Sequence, residues 1–324
     1  MSKAIVISQL GGPEALRYDD AEPGVPGLGQ IQVRTRAIGV NYIDVYFRSG
    51  VYPQRLPFVP GNEASGVVEE VGAEVTGFSI GDRVAWATVP GSYSRIVNVP
   101  AERAVKVPSG VSDEIAAAVM LQGMTAQYLT YATRETRPGD VAVVLAAAGG
   151  VGLLLIQMLV RAGAGVIAVC SAGEKHKLAL GAGAHHVLTY DDPPFDQEVR
   201  RITNGKGADV VYDSVGKNTF QQSLRALRAR GLLALYGQSS GVVPPFDPGL
   251  LNQRGSLFLT RPSLAHYTFE RRELEERAGA VLSMIAAGQL DVHIGGRFPL
   301  SQAAAAHRAL ESRRTTGKLL LIPD

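Results

Sequence analysis

The apolar positions fall into two regimes along the chain. Up to about residue 120 they form short runs, at 4–7, 31–37, 64–71, 83–85 and 93–99, interrupted by Pro23-Gly24, Pro26-Gly27, Pro60-Gly61 and Pro90-Gly91. Short strands closed by turn residues, with almost no helical period, predict a compact antiparallel unit resembling a β-barrel. From Glu114 the register changes. Residues 114–122 are alanine-rich and read as a helix, Gly123-Met124-Thr125 as a break, and 126–131 as a second helix ending before Arg137-Pro138-Gly139-Asp140. Strands then alternate with helices: 141–145, 166–169, 187–190, 210–213 and 232–236 are apolar runs, and the stretches after Gly150, Glu174, Pro194 and Lys217 carry the helical period. That alternation predicts an α/β fold with a parallel, doubly wound sheet, whose ligand lies beyond the carboxyl ends of the strands. A further strand is expected at 256–260. The charge run 270–277 reads as the solvated face of a helix whose apolar side includes Leu274, Ala278 and Val281, with Glu273 and Arg277 paired one turn apart. Strand, helix and strand at 295–300, 303–310 and 318–322 would return to complete the first unit. The expected division is 1–123, 124–264 and 265–324.

The chain is organised around 141–170. An apolar β-branched run, a glycine turn, an apolar helix closed by Gly163 and Gly165, and a second β-branched run follow one another. The turn Ala147-Ala148-Gly149-Gly150-Val151-Gly152 matches the dinucleotide fingerprint G-x-G-x-x-G with Ala147 in the first glycine position. Glycine at Gly149 lets backbone approach a pyrophosphate, glycine at Gly152 lets the helix pack on the strand, and the first-turn N–H groups face the phosphates. About twenty residues on, where an acid would hold a ribose 2′-hydroxyl, the chain has Cys170-Ser171-Ala172-Gly173. With no carboxylate to repel a 2′-phosphate, and with Ser171 and Lys175 beside it, the pocket favours NADPH; the bland alternative is that Glu174, Lys175 and Lys177 are a solvated first helical turn. The other strand ends carry Tyr190, Ser214-Val215-Gly216 and Gly237-Gln238-Ser239-Ser240, small and hydroxylated residues that fit a cofactor lying across that edge.

Composition narrows the class. A length of 324 residues favours two domains, and 32 basic against 30 acidic residues leave a net charge of +2, too small for a broad field toward nucleic acid or membrane. One cysteine, Cys170, excludes an intramolecular disulfide and a thiolate-rich metal site. No signal-peptide h-region follows Met1-Ser2-Lys3, and Gln157 and Arg161 interrupt the most apolar helix, so a cytoplasmic protein is expected. Residues 39–53 stand apart: Asn41, Tyr42, Asp44, Tyr46 and Tyr52 crowd one short helix and loop, with Tyr42 and Tyr46, and Asp44 and Arg48, on shared faces. Tyrosines so placed are as often structural as functional.

These features, together with Gly11-Gly12-Pro13-Glu14, Tyr46-Phe47-Arg48-Ser49-Gly50, Val211-Tyr212-Asp213-Ser214-Val215-Gly216, Leu251-Asn252-Gln253, Thr260-Arg261-Pro262-Ser263 and Leu310-Glu311-Ser312-Arg313, resemble the zinc-free NADPH:quinone oxidoreductases related to zeta-crystallin, within the medium-chain dehydrogenase/reductase superfamily. The resemblance implies a Rossmann domain plus a GroES-like catalytic domain, a homodimer, and NADPH-dependent reduction of a small quinone or related conjugated acceptor. It implies no metal: where zinc-dependent members have a cysteine and a Gly-His-Glu motif, this chain has Asn41 and Gly61-Asn62-Glu63. Asn41, Tyr46 and Tyr52 become the candidate donors at the acceptor oxygen, with a tyrosine or water supplying the proton. Cofactor contacts would come from Tyr42, Thr125, Gly149, Gly150, Val151, Ser171, Lys175, Tyr190, Val215, Tyr236, Gly237, Ser239, Phe258, Leu259, Thr260 and Arg313, with Arg314 or Lys318 as alternatives to Arg313. Gln122 departs from the lysine common at its position. Two other functions stay open: an enone or alkenal double-bond reductase, and a non-catalytic NADPH-binding protein of the crystallin or RNA-contacting kind.

Overall fold

The computed structural model describes residues 2–324. The chain divides into two compact units, Met1–Met124 with Tyr267–Asp324, and Thr125–His266.

The second unit is built on six parallel strands in the order His186–Leu188, Gly165–Val169, Val141–Leu145, Ala208–Asp213, Leu227–Leu235, Phe258–Thr260. Numbered from Val141 this is 3-2-1-4-5-6, the Rossmann order, in which the direction of winding reverses between the strands beginning at Val141 and Ala208. Both are enclosed on their two faces, which is why they read as apolar runs. The helix Gly150–Arg161 buries Leu153, Leu154, Leu155, Ile156, Met158 and Leu159 and stops at Gly163 in the left-handed region, φ 85°. The last strand is shorter than the apolar run suggests, because Ser256 has φ 55° and cannot extend the ladder.

In the first unit, the eleven-residue strand Gln30–Val40 pairs with three neighbours: Glu63–Val71, Ile96–Pro100 and, from the carboxyl-terminal return, Lys318–Ile322. The sheet continues through Arg83–Ala87 and Ala104–Lys106 on one side and Ile294–Pro299 on the other. Ile31, Val33, Ile38, Trp86, Tyr93, Val99, Leu319 and Leu321 fill its core. The pairing Leu319↔Val40 brings Lys318 opposite Asn41, and Ala64↔Ile38 brings Glu63 to the same end.

The break expected at Gly123 is absent: Asp113–Tyr128 is one helix, followed by a π-helical turn, Leu129–Thr133. Glycine is there for close approach, since a Cβ would lie 2.8 Å from Val281 Cγ1 and 3.2 Å from Val119 Cβ. Helix propensity alone favours alanine at such a site by about 1 kcal/mol. Against a stiff valine the sign reverses, and Gly123→Ala should destabilise the protein by about 1–3 kcal/mol in urea unfolding; a more stable variant would show that the contact relaxes freely.

Candidate functional site

In the second unit the glycine turn joins the first strand to its helix at the switch point. Gly149 N–H donates to the Ala146 carbonyl (2.9 Å), Leu153 N–H to that of Gly149 (3.0 Å) and Ala147 N–H to that of Val169 (3.2 Å). A Cβ on Gly152 would meet the carbonyl oxygens of Ala146 and Ala147 at 2.6 Å, and one on Gly149 would stand 3.1 Å from Ala146 O. Backbone therefore imposes glycine at Gly152, and at Gly149 leaves a side chain only a tight fit. Ala147 is tolerated where the fingerprint has glycine because the left-handed residue of this turn is its neighbour Ala146, φ 50°. Gly150 and Val151 supply first-turn N–H groups that have no partner within the helix, the arrangement that receives a pyrophosphate. Tyr190 closes the turn from outside, its hydroxyl accepting from Ala146 N–H (2.9 Å).

At the end of the Gly165–Val169 strand, Ser171 is exposed and Lys175 half-buried. Burial lowers the Lys175 ammonium pKa and pushes the Cys170 thiol up to about 11, each partly offset by the other. The ends of the next two strands are stitched together. Asp213, fully buried, accepts from Val215 N–H (2.7 Å), Gly216 N–H (3.0 Å), Thr219 Oγ1 (2.7 Å) and Ser223 Oγ (2.7 Å). Tyr236 and Gly237 N–H donate to its carbonyl, Ser239 N–H donates to that of Ser214, and a Cβ on Gly237 would fall 2.6 Å from Ser214 O. Thr125 is nearly buried, Phe258 is exposed on the edge strand, and Leu259 and Thr260 are half-buried. The cradle fits a dinucleotide, and a 2′-phosphate meets a cation and a hydroxyl instead of an acid.

In the first unit three strand ends converge. Glu63, fully buried, accepts Leu121 N–H on Oε1 (2.6 Å) and, on Oε2, Asn41 Nδ2 (2.8 Å) and the Lys318 ammonium. Lys318, also buried, donates to Asn41 Oδ1 (2.8 Å), which Gln122 Nε2 approaches at 3.4 Å. Burial draws the Lys318 pKa down, while Glu63 and Asp44 pull it back. A Cβ at Gly39 would lie 2.2 Å from Glu63 Oε2, so the carboxylate occupies space that only glycine leaves. Among the described residues no group of three or more His, Cys, Asp or Glu is placed to hold a metal ion.

A second buried chain runs from this cluster. Asp44 accepts from Asn41 N–H (2.9 Å), Asn62 Nδ2 (2.9 Å) and the Tyr93 hydroxyl (3.1 Å). Tyr93 lies 3.0 Å from His307 Nε2, and Arg48 Nη1 3.1 Å from His307 Nδ1. Arginine can only donate, so Nδ1 accepts, Nε2 carries the proton and donates to the Tyr93 oxygen, and the Tyr93 hydroxyl donates to Asp44. The same-face pairing expected of Asp44 with Arg48 gives way to these partners, and Arg48 makes a bidentate pair with Glu311 (2.9 Å each).

Of the expected acceptor-site residues, Tyr46 and Tyr52 stand together, rings 5.3 Å apart, and Tyr52 N–H donates to Tyr46 O (3.0 Å). Asn41 is buried, with one Nδ2 hydrogen held by Glu63 and the other facing Gly39 O at 3.4 Å, the outer limit of such a bond. Tyr42, expected at the cofactor, donates its hydroxyl to Leu310 O (3.1 Å). Arg313 is exposed, but Lys318 is enclosed and is no alternative to it. Sequence reading gave Lys318 another role and missed Tyr93 and His307. Their signal was weak: a lysine opening an apolar terminal strand, and a histidine in an alanine-rich helix.

This pair of folds is the architecture of the medium-chain dehydrogenase/reductase superfamily. Residues 182–321 match the family described as Zinc-binding dehydrogenase and residues 27–109 that described as Alcohol dehydrogenase GroES-like domain. A quinone oxidoreductase of Pseudomonas aeruginosa is 45% identical over 325 residues, covering 100% of both chains, and a 2-haloacrylate reductase of Burkholderia sp is 44% identical, again over 100% of both. The solved structure of Escherichia coli quinone oxidoreductase complexed with NADPH superposes with a TM-score of 0.97 at 42% identity, covering 99% of this chain and 100% of that one. The chain belongs to the quinone oxidoreductase family. The zinc in the first description has no counterpart in the side chains at positions 41 and 62, both amides here.

Burial raises the Asp44 carboxyl from 3.8 to about 6, against the hydrogen bonds it accepts; burial, and then the Arg48 charge, lowers His307 from 6.5 to about 3. Folding thus makes Asp44 bind its proton more tightly and His307 less. The stability from Asp44 is present below pH 3.8 and lost as pH rises to about 6; that from His307 is present above pH 6.5 and lost as pH falls toward 3. The slopes oppose one another. Asp44→Asn removes the first, so its stability should rise with pH between 4 and 6 more steeply than wild type, by up to ~3 kcal/mol in urea unfolding. Parallel profiles would contradict the assignment.

Proposed function

We propose that this chain is an NADPH:quinone oxidoreductase, reducing a quinone without a metal. The observation that carries the reading is the Gly149/Gly152 turn at the sheet's switch point, followed by Ser171 and Lys175 where a ribose-binding acid would stand. Full-length identity of 42–45% to quinone oxidoreductases supports it.

NADPH, when bound, supplies the hydride. Gly150 and Val151 hold the pyrophosphate on backbone N–H groups, beside Gly149, which has no side chain to obstruct it; Ser171, Lys175 and Tyr190 hold the adenosine 2′-phosphate; Val215, Tyr236, Gly237 and Ser239 line the strand ends. Thr125 and the backbone of Phe258, Leu259 and Thr260 orient the nicotinamide. A quinone is already electrophilic and needs only positioning and donors where charge develops on oxygen. Asn41 offers the Nδ2 hydrogen that faces Gly39 so loosely, and Tyr46 and Tyr52 offer hydroxyls. A tyrosine or water then delivers the proton. The protein works as a homodimer joined along the Phe258–Thr260 edge, where Phe258 is 63% exposed. A single, buried cysteine suits the reducing cytoplasm.

The 44% identity to a 2-haloacrylate reductase favours one second reading, reduction of a conjugated C=C bond. Steady-state NADPH oxidation with a naphthoquinone, with an alkenal and with no acceptor separates them: fastest turnover with the quinone is expected. Turnover with the alkenal alone selects the second reading, and tight NADPH binding without turnover would leave a non-catalytic binding protein. Lys175→Ala should raise the KM for NADPH about tenfold, roughly 1.4 kcal/mol, with kcat little changed and NADH kinetics unaffected. A fall in kcat at constant KM would mean that Lys175 does not hold the phosphate.

A further inference from the structure

Asn41, Glu63 and Lys318 come from three separate parts of the chain and form one enclosed polar group, with 4%, 0% and 1% exposure. We infer that Lys318 is a positioning residue for the acceptor site: clamped on Glu63, it fixes the Asn41 amide in one of its two flip orientations, so that a reacting oxygen meets N–H and not C=O. This rests on the reading above in which Asn41 offers its second Nδ2 hydrogen.

The two ends of a side-chain amide are nearly the same size, and only their hydrogen-bond partners tell them apart. Asn41 Oδ1 faces two donors, Lys318 Nζ at 2.8 Å and Gln122 Nε2 at 3.4 Å, while Nδ2 faces the Glu63 carboxylate at 2.8 Å. Flipping the amide would turn its oxygen onto a carboxylate and its N–H groups onto an ammonium and a second amide. Gln122 alone is too distant to hold the orientation. Lys318 holds it in two ways, by donating to Oδ1 and by fixing the Glu63 carboxyl that accepts from Nδ2. Without the ammonium, Glu63 is a buried acid with no counter-charge and loses the partner that fixes it against Nδ2. The preference at Asn41 would then be lost. The backbone builds the contact: Lys318 opens the strand whose second residue pairs with Val40, the residue before Asn41.

The test is a set of variants, Asn41→Ala, Lys318→Met, the two combined, and Glu63→Gln with Lys318→Met, each measured for urea stability and for kcat and KM with NADPH and a naphthoquinone. Lys318→Met should lower kcat about tenfold or more, with the KM for NADPH within about twofold, and should lower it no further once Asn41 is alanine. Glu63→Gln/Lys318→Met buries no lone charge and should regain stability without regaining kcat. Recovery of kcat together with stability would overturn the proposal, as would losses from Asn41→Ala and Lys318→Met that multiply in full. If Asn41→Ala lowers kcat and Lys318→Met does not, the positioning role alone fails. An Asn41→Ala variant with unchanged kcat would overturn both the proposal and the role given to Asn41.

Discussion

The contact between Lys318 and Glu63 is the constraint on which the first unit's functional end depends. Two charges out of water cost several kcal/mol each unless their geometry is good and their remaining hydrogen-bonding capacity is met. Here Glu63 takes Leu121 N–H and Asn41 Nδ2 besides the ammonium, and Lys318 gives to Asn41 as well. Satisfying the pair therefore fixes the ends of three strands, the helix Tyr42–Arg48 that starts from Asn41, and the helix carrying Leu121 and Gln122. Gly39 is conscripted too, because any side chain there would displace the carboxylate. Behind this cluster, Asp44, Tyr93, His307 and Arg48 form a chain in which every donor has one direction open to it, and that chain ties the helix Ala303–Glu311 to the same place.

The second unit solves a different problem with different means. It must bring backbone N–H groups close to an anion, and it does so by removing side chains: at Gly152 and Gly237 a Cβ would collide with carbonyl oxygens, which no side-chain rearrangement relieves. At the strand end after Cys170 the chain places a half-buried Lys175 where a ribose-binding site would have an acid.

Much of this was legible in the sequence, for identifiable reasons. Parallel strands enclosed on both faces leave continuous apolar runs, and the glycine turn leaves a fixed spacing, so the sheet and its cradle could be read directly. Gly123 was misread because a glycine's local effect, breaking a helix, was weighed without the Val281 side chain that packs on it. Lys318 was read as a cation that could stand in for Arg313, and its actual partner Glu63 is 255 residues away. Nothing local reports such a pairing. Arg48 was matched to Asp44 by helical spacing, yet tertiary partners on the helix Ala303–Glu311 outbid that neighbour. The resemblance suggested Asn41, Tyr46 and Tyr52 as donors, but not that one Asn41 hydrogen is already held by Glu63.

If amide, phenol and ammonium groups do the work that a Lewis acid does in zinc-dependent relatives, turnover needs no divalent ion. The direct measurement is the rate of NADPH oxidation with a naphthoquinone before and after exhaustive removal of divalent metal ions from the purified protein. An unchanged rate is expected. A rate lost on chelation and restored by zinc would contradict a site built around Asn41, Glu63 and Lys318.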